Sequence, residues 1–188
     1  SKDRKYLDED QSRDIVNILR NSLAKVSNIK ESQRSGKPPK PFKTTSLQTS
    51  SKNNLGFQPR KTMSIAQRLY QEGLITYMRT DSIRLSDVAI KASREYISSN
   101  FSSEHLPSEP NFYGDSKNAQ AAHEAIRPSG ESFTTPQELL KKYKEDSDEF
   151  KLYELIFNVT IASQMSEARG ITKTIDLEVI DNIFGSIV

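Results

Sequence analysis

Apolar residues at Ile15, Ile18, Leu19 and Leu23, with Val16 beside them, recur at helical spacing and predict a helix over residues 14–23, capped by Asp10 or Ser12. Residues 24–31 loosen toward alternation and predict a strand. The run RSGKPPKP at 34–41 has three prolines without backbone donors and predicts a loop. Thr44, Thr45 and Ser46 offer caps for a helix to about residue 54, which Gly56 would end. The clearest helix covers residues 59–72: Pro59 suits its first turn, Met63, Ala66, Leu69 and Tyr70 share a face, and Gly73 stops it.

LITYM at 74–78 is rich in β-branched and aromatic residues and predicts a short strand. Ser86 caps a helix over 87–98 whose Val88, Ala92 and Tyr96 stand four apart. Residues 101–117, with Pro107, Pro110 and Gly114, predict a surface loop, and 118–126 a short helix closed before Pro128. TPQE at 135–138 is a capping box, and a further helix is expected over 148–165 with Tyr153, Ile156, Phe157 and Thr160 on one face. TIDLEV at 174–179 alternates as a half-buried strand. The fold class is therefore mainly α with flanking β, a helical domain inserted into a β-containing one.

Composition narrows the function. Of 188 residues, 34% are hydrophobic and 28% charged, polar for a self-sufficient globule. No apolar run approaches the ~18 residues that a membrane-spanning helix needs, and the N-terminal SKDRKYLDEDQ lacks the apolar centre of a secretory signal. Absence of cysteine excludes disulfides, thiol catalysis and iron–sulfur clusters and suits a reducing compartment.

The net charge of +2 conceals a division. Residues 1–100 hold nineteen basic and ten acidic side chains, and residues 101–188 hold eight and fifteen. Between Arg20 and Thr80 twelve basic residues face only Glu31 and Glu72. Such a block attracts polyanions and releases their condensed counterions. A Lys-rich stretch alone is more often a solvated surface. Here Arg68, Tyr70, Tyr77 and Arg79 lie in or beside it, the mixture a single-stranded nucleic-acid groove requires.

Two clusters could carry chemistry. Tyr77 and Arg79 point to one side if the chain is extended, with Thr80, Asp81 and Ser82 following. A phenol, with a free pKa of about 10, is a weak nucleophile. A guanidinium beside it favours phenolate character and can grip two phosphate oxygens, so the pair could form a phosphotyrosyl ester. From spacing alone, a core tyrosine and a surface Arg79–Asp81 pair is the commoner outcome. His123 and Arg127, four apart, share a face on a helix and could clamp an anion, with Glu124 close by. A structural histidine and an exposed arginine are the ordinary alternative. No glycine-rich phosphate loop exists, and no acidic pair or triplet has metal-ligand spacing. The acidic run at 145–149 is interleaved with lysines, as in a solvated helix-capping surface.

At these residues the sequence resembles the type IA DNA topoisomerases, near their bacterial topoisomerase I branch. Four blocks stand in the family's order: PFKTTSLQ at 41–48; LGF at 55–57 with KTMSIAQRLY at 61–70; GLITYMRTDS at 73–82; and AQAAHEAIRP at 119–128. The resemblance spans roughly residues 38–166. It implies that Tyr77 is the nucleophile, that Arg79 contacts DNA and the transition state, and that His123 is catalytic. It also implies DNA-binding roles for Thr80, Asp81, Arg127, Lys61 and Arg68.

The implied activity is single-strand cleavage through a 5′-phosphotyrosyl link, strand passage and resealing, relaxing negatively supercoiled DNA without ATP. Mg²⁺ is implied for the complete enzyme, with ligands in an acidic TOPRIM domain that has no counterpart here; no metal is expected on this chain. The expected partners are single-stranded or negatively supercoiled DNA and that TOPRIM domain. The expected state is a monomer, and the expected location is the cytoplasm and nucleoid of a bacterium, or an organelle. The implied division is a β-hinge segment at 1–40, a helix-turn-helix-like tyrosine domain at 41–133, a helical return segment at 134–169 and a truncated hinge strand at 170–188. The competing readings are a helical single-stranded nucleic-acid module in which Tyr77 only stacks, and a protein-interaction domain with an incidental basic face.

Overall fold

The computed structural model describes residues 6–114, 123–181 and 185–187. The chain forms two compact units, residues 1–35 with 169–188, and residues 36–168.

In the first unit, α1 (Glu9–Asn21) precedes β1 (Leu23–Gly36). The helix starts five residues before the expected position because Asp8 and Gln11 form a capping box: the Gln11 N–H donates to Asp8 Oδ1 at 2.8 Å and the Asp8 N–H to Gln11 Oε1 at 3.3 Å. Asp10 and Ser12 lie inside the first turns, and Leu23 belongs to the strand. A three-stranded sheet runs in the order β1, β2 (Ala168–Asp181), β3 (Gly185–Ile187). The β2–β3 pair is antiparallel, with Val179 opposite Ile187. Both long strands exceed the expected 24–31 and 174–179. Polar cross-strand links, Lys173 to Glu31 at 2.7 Å and the Asn28 amide to Asp176 at 2.9 Å, tie the middles of the two long strands together. The expected half-burial of 174–179 does not hold across it. Ile175 and Leu177 are exposed, because alternation sets which residues share a side, whereas burial needs a covering layer.

The second unit contains α2 (Thr44–Leu55), α3 (Pro59–Gln71), α4 (Asp87–Asn100), α5 (Pro136–Leu139) and α6 (Asp148–Ser163). Helix α6 packs on α2, α3 and α4, so the unit runs through both 41–133 and 134–168. Its face of Tyr153, Ile156, Phe157 and Thr160 is buried as expected, against a core that includes Leu47, Ile65, Leu69 and Ile97. Burial pushes the Tyr153 phenol up, and its hydroxyl donates to the Thr134 carbonyl at 2.6 Å. Pro59 stands at the first position of α3, and Gly56 closes α2 in the left-handed region at φ 70°. On α4, Ala92 is buried and Tyr96 packs against the core as expected, but Val88 is exposed and Ala89, Ile90, Ser93 and Ile97 are buried beside them.

Two expected elements are not found among the described residues. Residues 74–78 bend at 74, 76 and 78 and make one isolated bridge, Ile75 to Pro128, in place of a strand. Side chains complete its pairing: the Thr76 hydroxyl donates to the Ala125 carbonyl at 2.7 Å and accepts the Arg127 N–H at 3.0 Å. Of the helix expected over 118–126, residues 118–122 lie outside the described residues. Residues 123–126 are not helical, because the Ala125 N–H donates to the Arg84 carbonyl at 2.8 Å and the Ile126 N–H to the Phe42 carbonyl at 2.7 Å.

Candidate active site

The chain leaves α3 through Gly73, at φ 71°, a left-handed conformation that favours glycine. The Gly73 N–H donates to Tyr70 and the Leu74 N–H to Leu69, each at 2.9 Å, so the last carbonyls of the helix are satisfied as the chain turns away. The segment that follows is pinned from inside and outside. Ile75 and Met78 are each 1% exposed, and the Thr76 N–H donates to the Arg127 carbonyl at 2.9 Å. Tyr77 and Arg79, on either side of buried Met78, therefore both face outward, and Tyr77 is 45% exposed.

The Tyr77 ring meets Tyr70 edge-on, with centroids 5.2 Å apart and planes at 65°. Tyr70 was expected on the core face of α3. It is 41% exposed, and Thr62 and Ile65 are buried with Ala66 and Leu69 instead.

Arg79, Thr80, Asp81 and His123 share an open depression of about 410 Å³ with Lys43, Thr44 and Thr45 at the start of α2. Two cations, a carboxylate, an imidazole and the hydroxyls of Thr45 and Thr80 thus line one hollow beside the tyrosine segment, a chemistry suited to a phosphodiester. Lys43, Thr44 and Thr45 belong to the PFKTTSLQ block, whose two threonines look from the sequence like helix caps alone. The capping falls to Ser46, whose hydroxyl accepts the Lys43 N–H at 3.0 Å.

The other expected residues go elsewhere. Arg127 does not share a helix face with His123. It is 8% exposed, and its Nη2 donates to Glu124 Oε2 at 2.6 Å and its Nη1 to the Pro128 carbonyl at 2.8 Å. Lys61 pairs with Asp148 at 2.9 Å and Arg68 with Glu149 at 2.6 Å. Two members of the acidic run at 145–149 therefore neutralise two cations of the basic block. No local pattern carries that signal, because the partners are 87 and 81 residues apart.

Among the described residues, no three acidic or imidazole side chains gather as a metal site. Asp81 is the one carboxylate among the described residues lining the hollow, and Glu124 is held by Arg127. These residues by themselves do not fit a Mg²⁺ site. No described helix is long and apolar enough to cross a membrane.

The family model for DNA topoisomerase matches residues 1–186. The chain is 44% identical over 173 residues to DNA topoisomerase 1 of Streptomyces coelicolor, covering 92% of this chain and 18% of that protein. It is likewise 44% identical over 176 residues to DNA topoisomerase 1 of Campylobacter jejuni, covering 89% of this chain and 25% of that one. The full-length topoisomerase I structure from Thermotoga maritima superposes with a TM-score of 0.69 at 36% identity, covering 94% of this chain and 28% of that one. The chain thus spans between a sixth and a third of the length of each of these three relatives.

Proposed function

The chain belongs to the DNA topoisomerase family, and from that premise we propose that it carries the DNA-cleaving tyrosine of a type IA enzyme. One observation supports this most: Tyr77 and Arg79 both face outward from an anchored segment, beside a hollow that Thr80, Asp81 and His123 line.

In this reading the Tyr77 Oη attacks a backbone phosphorus of single-stranded DNA. A bond forms between that oxygen and phosphorus, and the bond to the 3′ oxygen breaks. The phenol proton ends, overall, on the departing 3′-hydroxyl. Arg79 holds the non-bridging oxygens, whose charge grows in the transition state, and its planar fork can contact two of them. Attack of the 3′-hydroxyl on the phosphotyrosyl ester reverses each step, so cleavage and resealing share one set of contacts. His123 orients the phosphate or a neighbouring carboxylate and is not the base for Tyr77. Thr80 and Asp81 line the path of the strand, and Lys43 adds a cation to the one Arg79 supplies. Lys61 and Arg68, already ion-paired, contribute weaker, longer-range attraction.

Strand passage, relaxation of negatively supercoiled DNA and Mg²⁺ dependence belong in this reading to the whole protein. Its acidic TOPRIM domain would be the partner of this segment, in a monomer acting on DNA in the cytoplasm. The helical unit, residues 36–168, is the inserted tyrosine domain and its return segment, and the sheet is the hinge.

Tyr77→Phe in the intact protein tests the reading. The ring keeps its contact with Tyr70 and only the attacking oxygen is lost. The expected result is a folded protein that retains single-stranded DNA binding and forms no denaturant-resistant adduct with an end-labelled oligonucleotide. A residual adduct would assign the nucleophile elsewhere.

A further inference from the structure

Thr44 stands at the first position of α2, yet its hydroxyl is turned away from that helix. Oγ1 lies 2.8 Å from the Met78 carbonyl and 3.0 Å from the Thr80 carbonyl, and it accepts the Thr80 N–H at 2.9 Å. The Thr44 N–H donates to the same Thr80 carbonyl at 2.9 Å. One side chain thus grips the backbone on both sides of Arg79. Its single proton is shared between two carbonyls, while its lone pair takes the one N–H. Met78 itself is buried, so Arg79 projects from a backbone fixed beneath it by packing and on either side by Thr44.

We propose that Thr44 is a positioning residue for Arg79: α2 holds residues 78–80 through this hydroxyl and so fixes where the guanidinium meets the scissile phosphate. The proposal rests on the reading of Tyr77 and Arg79 given above. Thr44 touches no DNA in it and acts only through the arginine. A bidentate contact is useful only within a few tenths of an ångström and some tens of degrees of its target, so releasing the backbone costs rate more than affinity.

The test is the single-turnover rate of adduct formation by the intact protein with an end-labelled single-stranded oligonucleotide, alongside its Kd. Thr44→Val keeps the shape, removes the hydroxyl and leaves the Thr80 N–H without this acceptor. Cleavage should slow by about 10- to 100-fold, with Kd within about twofold, and Thr44→Ser should recover most of the rate, since it restores the same oxygen. In an Arg79→Ala background, Thr44→Val should add less than about a twofold loss, because the residue it acts through is gone. Thr44→Ala removes the same hydroxyl should the valine variant fold poorly.

Wild-type cleavage by Thr44→Val, failure of serine to recover the rate, or an undiminished loss in the Arg79→Ala background would each overturn the proposal. An adduct formed by Tyr77→Phe would remove the reading of the nucleophile and the proposal with it. Wild-type cleavage by Thr44→Val, with Tyr77→Phe inactive, would remove the proposal alone.

Discussion

Residues 74–82 and 123–129 lie side by side, bridged at Ile75–Pro128 and tied by the Thr76 hydroxyl, and each carries one arginine of the family's pattern. Their fates are opposite. Arg79 stands exposed at the rim of a hollow; Arg127 is buried and gives its donors to Glu124, Pro128 and Ser86. The first segment presents a cation, and the second supplies the wall that lets it do so. A motif arginine can therefore matter as much for shaping a site as for touching a substrate.

Removing Arg127 should break this division most severely. Arg127→Ala leaves the Glu124 carboxylate without its partner, and losing one member of a largely buried pair costs about 3–5 kcal/mol. Urea denaturation should register that loss, and DNA affinity in the fraction that remains folded should change little. A fully stable Arg127→Ala with weakened binding would return Arg127 to the DNA-contacting group.

Arg79→Lys sharpens the same comparison from the other side. It should leave the melting temperature unchanged and lower the single-turnover cleavage rate by about 100-fold, since lysine lacks the planar fork. Equal rates for Arg and Lys would reduce its role to charge alone.

A smaller effect concerns the far end of α3. Glu72 accepts from Lys142 and from the Tyr143 hydroxyl, each at 2.6 Å, and these donors hold its carboxyl below its ordinary 4.5. A depressed carboxylate contributes stability that is present above the unfolded pKa and lost as pH falls through the folded one. The contribution is below about 1 kcal/mol, because the pair is partly solvated. Glu72→Gln should therefore lower stability slightly at pH 7 and close the gap to the parent protein as pH drops below about 4. A gap that persists at pH 2 would assign the effect to packing.

Much of this was legible in the sequence where the determinants are local. Pro59 and Gly73 bracket α3, Gly56 ends α2, and the Thr135–Glu138 box starts α5, because caps and left-handed glycines act within a few residues. Tyr77 and Arg79 share the outward side that an extended chain would give them, but burial of Ile75 and Met78 sets that side, not a strand with a two-residue period. What stayed hidden depends on distant partners. The pairing of Asp148 and Glu149 with α3, and the grip of Thr44 on residues 78–80, join segments that no local pattern relates. The helix expected over 118–126 fails at 123–126 for the same reason: the backbone donors of Ala125 and Ile126 find carbonyls on other segments.

The long β1–β2 ladder has a kinetic consequence. Each strand is fourteen residues, a reach of about 46 Å at ~3.3 Å per residue, and β1 is exposed along its whole length. The amides of such a ribbon are shielded from solvent deuterium by cross-strand hydrogen bonds rather than by a covering core. They exchange through small local openings, one rung at a time, whereas those of α6, beneath Tyr153 and Ile156, wait for the helical unit to unfold. One polypeptide thus holds two clocks, a fast one in the ribbon and a slow one in the helical unit that carries Tyr77, so the ribbon can fray and re-form many times while that unit stays folded.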